Sequence, residues 1–322
     1  MKNAVVYVSI IRPDVRAALD TFADVKAVFV EPGDEQGLAA ALPGSEILVI
    51  SNRVYTPKVG AAVLAHGKDL RWIQFSTAGF DNALACGLPD GIVCTNAGGV
   101  RSASVAEQAM FLLLCLVRQV HALEAARAKK AWVRDEVSPS LHNLAGRRML
   151  IVGMGPVGQA IARRAGAFDM RVAGVSRTED APPGVERVYP RARFVEACKE
   201  AQVVVLATGL DDETNRILGR EAIAALPKDA VVVNVGRGSL VDEPALIAAL
   251  QSGRIAGAGL DVAETEPLPA SSPLWTLPNV VITPHIGGAG DPSEAGVGAL
   301  LAGNLKIYLS GKRFPRVVYP KS

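Results

Sequence analysis

Met149-Leu150-Ile151-Val152-Gly153-Met154-Gly155-Pro156-Val157-Gly158 runs directly into the helical stretch Gln159–Ala167. Four apolar residues in a row signal a strand buried on both faces, as parallel sheets require. Each glycine of the following turn has its own physical task. Gly153 permits the tight turn, Gly155 lets a pyrophosphate approach the backbone, and Gly158 lets helix and strand pack closely. Pro156 suits a first helical position, where a missing N–H costs little. With Val157 it opens a helix whose free amides and positive dipole end face an anion. Strand before and helix after make this a dinucleotide-binding turn and not a generic Gly-rich loop.

Working outward, short β-branched runs alternate with Ala/Leu-rich helical stretches along the whole chain. Strands are expected at Ala4–Ser9, Ala27–Val30, Ile47–Ile50, Trp72–Phe75 and Val93–Thr95. A second set is expected at Arg148–Val152, Arg171–Val175, Val203–Ala207, Ala230–Asn234, Gly257–Leu260 and Val280–Thr283. Such alternation reads as βαβ units in parallel sheets, an α/β chain. The series divides near Asn96–Arg101. A helix from about Arg101 to Lys130 is expected next, with Ala106, Met110, Leu113, Leu114 and Val117 on one stripe. The expected domains are residues 1–98 plus 287–322, discontinuous, and residues 99–286, which hold the dinucleotide turn.

The length of 322 residues suits about two domains, and 49% hydrophobic against 20% charged residues excludes a disordered chain. A net charge of +2 builds no field for nucleic acid or membrane, so any anionic ligand must be held by local groups. Cys86, Cys94, Cys115 and Cys198 show no metal or disulfide spacing, and no metal site is expected. The longest apolar run, Ala109–Val117, is far shorter than the roughly 20 residues that span a bilayer. Met1–Val8 enters a strand-like run without a signal-peptide core. These features set the expectation of a cytoplasmic protein.

The second strand of the nucleotide half ends in Ser176-Arg177-Thr178. NAD-selective sites place a carboxylate there, about 20 residues after the glycines, to hold the ribose 2′-hydroxyl. Two hydroxyls and a guanidinium suit a 2′-phosphate instead. NADP(H) is therefore the expected cofactor and NAD(H) the possible one, with Glu179 and Asp180 the carboxylates a shifted turn could bring back.

Three further fragments end strands of the second set: Asn234-Val235-Gly236-Arg237-Gly238, Leu260-Asp261-Val262-Ala263-Glu264-Thr265-Glu266-Pro267-Leu268 and Thr283-Pro284-His285-Ile286-Gly287-Gly288. Ligands of open α/β sheets bind outside the carboxyl ends of the strands, so an Arg, an acid and a His placed there can converge on one substrate. With Asp211–Arg220 and Asn234–Asp242, these ordered motifs resemble the D-isomer-specific 2-hydroxyacid dehydrogenases over nearly the whole length. The Ser-Arg-Thr turn is most similar to the NADPH-dependent glyoxylate/hydroxypyruvate reductases of that family.

The resemblance implies two Rossmann-like, doubly wound parallel-sheet domains hinged over a cleft, assembled as a homodimer. It implies hydride transfer between NAD(P)H and C2 of a small 2-keto or D-2-hydroxy acid. Arg237 matches the substrate arginine, whose fork binds keto oxygen and carboxylate. His285 matches the acid/base that exchanges the hydroxyl proton. Glu266 matches the carboxylate that orients that imidazole, with Glu264 the nearby competitor. Asp261 matches a residue facing the nicotinamide carboxamide, although a strand-end cap is its other reading. Val235 and Gly236 match cofactor-lining positions, while Thr208 and Gly209 depart from the Pro-Leu-Thr type segment of many relatives and keep a cofactor-lining role through their backbone. Gly236 and Gly238 read as leaving room for ligand beside Arg237. His66, His121 and His142 lack a partner motif and read as surface or structural groups.

In the first half, Phe75-Ser76-Thr77-Ala78-Gly79-Phe80-Asp81-Asn82 resembles the family's substrate loop. Ser76, Thr77, Ala78 and Gly79 would offer backbone amides to a carboxylate, while Asp81 or Asn82 would cap the next helix. Arg53, which follows a strand end, is a candidate contact for a larger or more anionic substrate, and the stretch around Arg101 for substrate choice. A phosphite dehydrogenase, a 3-phosphoglycerate dehydrogenase and a nucleotide-sensing corepressor are the alternatives the same motifs leave open.

Overall fold

The computed structural model describes residues 1–8 and 12–320, with side chains for all of these except 291–295. Ser9, the last residue of the first expected strand, lies outside them. The chain divides into two compact units, Met1–Arg101 with Ala289–Ser322, and Ser102–Gly288. Each is an α/β domain built on its own parallel sheet.

Among the described residues, the first unit holds β1 (Lys2–Tyr7), β2 (Val25–Phe29), β3 (Ile47–Ile50), β4 (Trp72–Phe75) and β5 (Val93–Thr95), in the order β2-β1-β3-β4-β5. Every neighbouring pair is parallel. Alternate residues feed two cores: Val5, Tyr7, Leu48, Ile50, Ile73 and Phe75 on one face, and Ala4, Val6, Ile47, Val49 and Trp72 on the other. The helix Asp291–Leu309 brings Val297, Leu301 and Leu305 to the second of these cores, which explains why the unit is discontinuous. Its Asn304 donates from Nδ2 to Gln74 Oε1 at 2.7 Å, an oxygen that also accepts from Thr95 Oγ1 at 2.7 Å. Trp72 Nε1 donates to the same Thr95 hydroxyl at 2.8 Å, so this fully buried polar group is satisfied within the unit.

The second unit holds β6 (Arg148–Val152), β7 (Arg171–Ser176), β8 (Arg187–Pro190), β9 (Val203–Leu206), β10 (Val231–Asn234), β11 (Gly257–Leu260) and β12 (Val280–Ile282). Their order is β12-β11-β10-β9-β6-β7-β8, again all parallel. The chain leaves β6 towards β7 and β8, then returns to β9 on the other side. The strand order therefore reverses between β6 and β9, the topological switch point at which such sheets bind ligands. β9 (VVVL) and β10 (VVVN) are buried at every position, as strands covered on both faces must be.

Two expectations needed correction. The sequence reading missed β8, an edge strand in which only Val188 is fully buried, set between Pro182-Pro183-Gly184 and its own Pro190. Its composition resembles a turn, and only pairing with β7 makes it a strand. The long helix over Arg101–Lys130 is two helices, Ser102–Val117 and Val120–Ala128, bent by 65°. Gln119 takes a left-handed conformation at the break, and the Val117 carbonyl accepts from His142 N–H at 3.0 Å. That carbonyl is thereby lost to the helical ladder. After the bend, His121 Nε2 lies 2.6 Å from the Val280 carbonyl, a structural contact to the edge of β12. Among the described residues, no single helix is long and apolar enough to cross a membrane.

Candidate active site

All the second-unit motifs leave the carboxyl ends of parallel strands, so they share one edge of the sheet. After β6, Gly153 adopts φ +99°, open to glycine alone at no cost. A Cβ on Gly153 would stand 2.8 Å from the Ala207 carbonyl, because the turn after β9 packs against it. A Cβ on Gly158 would overlap the Gly153 carbonyl, so helix Pro156–Gly166 could not seat on the strand. Gly155 behaves oppositely, with open space where its Cβ would be. Its helix begins without a side-chain cap. Two glycines closing the turn and one leaving it open make a cradle that fits a pyrophosphate, with Val157 half-buried beside it. At the end of β7, Ser176 is half-buried while Arg177 and Thr178 are exposed, and no carboxylate is among them.

The turn after β9 is held from below. Thr214 Oγ1 donates to the Gly209 carbonyl at 2.9 Å, and the Asp211 carboxylate accepts from Thr214 N–H at 2.9 Å. Arg191 Nη1 reaches both Asp211 oxygens at 3.1 Å. Burial pushes the Asp211 carboxyl up, but these hydrogen bonds from Thr214 and Arg191 outweigh it and hold the group below its ordinary range. A carboxyl lowered in the folded state stabilises the fold at neutral pH, and the contribution is lost as pH falls through its folded value. Thermal melts of Asp211→Asn and the parent protein should therefore differ most near pH 7, and the gap should close as pH falls below about 4. A gap that does not vary with pH would show that the carboxylate charge is not what stabilises this turn.

Arg237, Glu266 and His285 issue from three adjacent strands, β10, β11 and β12. His285 Nδ1 lies 2.7 Å from Glu266 Oε2. Glu264, the competitor, is turned away and accepts from Arg216 Nη2 at 2.9 Å. Glu266 Oε1 is 3.3 Å from the Ala263 amide, which steadies the carboxylate. The Arg237 turn is shaped by Asn234, which is almost fully buried. Its side chain accepts from Gly236 N–H at 3.0 Å and donates to the Arg237 carbonyl at 2.8 Å. Asn234 escaped notice as a functional residue because in sequence it reads as the polar end of a strand.

Several expected site residues have other surroundings. A Cβ on Gly238 would overlap the Ala263 carbonyl, and one on Gly236 would stand 2.8 Å from the Thr208 carbonyl. These glycines admit neighbouring backbone, and so lock the Arg237 turn to the loops beside it. Val235 packs in the core, and its N–H donates to the Leu206 carbonyl at 3.1 Å. Asp261 is 3% exposed, and its Oδ2 accepts from Gly287 N–H at 2.8 Å. Its Oδ1 accepts from Thr283 Oγ1 at 2.6 Å and Ile286 N–H at 3.0 Å. Of its two readings, the capping role is the one these contacts carry.

In the first unit, Ser76 is buried and its N–H donates to the Ile50 carbonyl at 2.9 Å, so it completes the strand end instead of presenting a donor. Thr77 Oγ1 donates to the Gly79 carbonyl at 2.8 Å and accepts from Asn52 N–H at 3.1 Å, curling the loop around Ala78. Asn96 Nδ2 also bonds the Ala78 carbonyl. The acceptor for the first amides of helix Asp81–Cys86 is Asn52, whose Oδ1 lies 3.1 Å from Asn82 N and 3.3 Å from Ala83 N. A cap supplied from another loop leaves no local signal.

Residues 110–287 match the model of the D-isomer-specific 2-hydroxyacid dehydrogenase NAD-binding domain. The chain is 35% identical over 269 residues to the glyoxylate reductase of Thermococcus litoralis, covering 82% of this chain and 81% of that one. It is 33% identical over 307 residues to the D-3-phosphoglycerate dehydrogenase of Methanocaldococcus jannaschii, covering 94% of this chain but only 57% of that longer protein. The crystal structure of an NADPH-dependent glyoxylate/hydroxypyruvate reductase from Sinorhizobium meliloti, bound to citrate, superposes with a TM-score of 0.82 at 30% identity, covering 99% and 98% of the two chains.

Proposed function

The chain belongs to the D-isomer-specific 2-hydroxyacid dehydrogenase family, and on that premise we propose that it reduces a small 2-keto acid of the glyoxylate/hydroxypyruvate class with NADPH. The observation that carries this reading is the His285–Glu266 pair at 2.7 Å, one sheet position from a strand-end Arg237. When bound, the nicotinamide supplies the hydride that C2 of the substrate accepts. Arg237 holds the keto oxygen and the carboxylate with its fork, drawing electron density from the carbonyl. His285, oriented by Glu266 through Nδ1, gives its proton from Nε2 to the oxygen as negative charge develops there. In the oxidative direction the same imidazole takes that proton back.

Gly153, Gly155, Pro156, Val157 and Gly158 hold the pyrophosphate in this proposal, and Ser176, Arg177 and Thr178 hold a 2′-phosphate. Steady-state kinetics with glyoxylate, hydroxypyruvate and 3-phosphohydroxypyruvate, each with NADPH and NADH, test both halves at once. Turnover of the first two with a preference for NADPH is expected. Preference for 3-phosphohydroxypyruvate would favour the reading suggested by the Methanocaldococcus relative, and absence of turnover with all three would defeat the proposal. Arg177→Ala should cost roughly 10- to 100-fold in efficiency with NADPH and little with NADH, since one charge-assisted contact is removed. Equal losses with both cofactors would take Arg177 out of the 2′-phosphate site. A homodimer in the cytoplasm completes the proposal. The four cysteines are free, as in a reducing compartment, and sedimentation tests the assembly.

A further inference from the structure

His285 has φ +52°, a left-handed backbone that a non-glycine residue keeps only where its surroundings hold it. Its own N–H donates to the Asp261 carbonyl at 2.8 Å and the Thr283 carbonyl at 3.0 Å. The two residues that follow it, Ile286 and Gly287, donate their amides to the two oxygens of the buried Asp261 carboxylate. The orientation of that carboxylate thus fixes the loop that aims the imidazole. Two more side chains then fix the carboxylate. Thr283 Oγ1 donates to Asp261 Oδ1 at 2.6 Å, and Gln108 Nε2 donates to Thr283 Oγ1 at 2.7 Å. Because the amide donates to the hydroxyl, the hydroxyl proton is left to point at the carboxylate.

Gln108 is itself placed by packing. It shares a face of helix Ser102–Val117 with Leu112 and Leu116, four and eight residues on. Those leucines lie over Gly259 and Gly257 of β11, where a Cβ would stand 2.8 Å from Leu112 Cβ and 3.1 Å from Leu116 Cδ2. Two glycines in a strand thus let the helix sit deep enough for Gln108 to reach Thr283. The Gln108 stem also covers Gly287, at 3.3 Å from where a Cβ would be.

We propose that Gln108 and Thr283 are positioning residues, a two-step hydrogen-bond relay through Asp261 that holds His285 in its left-handed conformation and so aims its imidazole. This rests on the assignment of His285 as the acid/base, and the experiment separates the two. Thr283→Val keeps the shape and removes the hydroxyl. It should lower kcat about tenfold or more, while KM for the keto acid and Kd for NADPH stay within about twofold. Thr283→Ser should restore kcat to within about twofold. Gln108→Met should lower kcat less, and adding it to Thr283→Val should cost nothing further, since both interrupt one relay. In the cofactor-free protein, the Ile286 and Gly287 amides should exchange with solvent about tenfold faster in Thr283→Val than in the parent.

A Thr283→Val kcat within twofold of the parent overturns the relay, as does an equal loss in Thr283→Ser or independent losses in the double variant. His285→Ala is run in parallel. If it is inactive while Thr283→Val is normal, the relay alone falls. If His285→Ala retains full turnover, the acid assignment falls, and the exchange rates decide the relay without reference to activity.

Discussion

Replacing His285 by Ala is expected to lower kcat by about 10²- to 10⁴-fold, some 3–5 kcal/mol of transition-state stabilisation. The oxygen at C2 gains negative charge during reduction, and without the imidazolium its proton must come from water held in no fixed geometry. The His285–Glu266 pair, at 2.7 Å through Nδ1, makes the proton donor a positioned group, although both side chains are partly exposed. NADPH affinity should stay nearly unchanged, because the proposed pyrophosphate and 2′-phosphate contacts follow β6 and β7, not β12. Stopped-flow single turnover, with cofactor titration by fluorescence, separates the two quantities. Undiminished single-turnover rates would remove His285 from the reaction.

Replacing Arg237 by Lys should reduce kcat/KM by about 10²- to 10³-fold, although the charge is kept. A guanidinium presents parallel N–H donors to the keto oxygen and the carboxylate together, and an ammonium is a single point of contact. The loss should divide between a raised KM, from weaker carboxylate binding in ground and transition states alike, and a lowered kcat, from weaker support of the developing oxyanion. Arg237 Nη1 already donates to the Gly236 carbonyl at 2.7 Å, so its fork is held against its own turn. A lysine stem has no second arm with which to make that bond and reach substrate too. Michaelis parameters within threefold of the parent protein would show that Arg237 is peripheral.

Much of this arrangement was readable in the chain itself. The strands buried on both faces, such as Ile47–Ile50 and Val203–Leu206, announce themselves because every residue must be apolar. The glycine turn is legible because φ +99° at Gly153 and the contact behind Gly158 admit no other residue. β8 was hidden because an edge strand needs few apolar side chains, and its hydrogen bonds come from a neighbour. The bend at Gln119 was hidden because the apolar composition continues through it, whereas the competing partner of the Val117 carbonyl, His142, lies far along the chain.

The same division runs through the site. The family resemblance named Arg237, Glu266 and His285, and residue type agrees with it, since few side chains can polarise a carbonyl or exchange a proton near neutral pH. The resemblance also chose Glu266 over Glu264, and the folded loop agrees with it, turning Glu266 towards His285 and Glu264 towards Arg216. Asn52, Thr283 and Gln108 carry no chemical signature of their own. Their importance arises from partners distant in sequence, 175 residues away for Gln108 and Thr283. Local sequence determined the buried strands and supplied the reactive groups, because backbone sterics and side-chain chemistry act at short range. The aim of those groups was decided by the tertiary structure alone, because hydrogen bonds between strand ends exist only once the strands lie side by side.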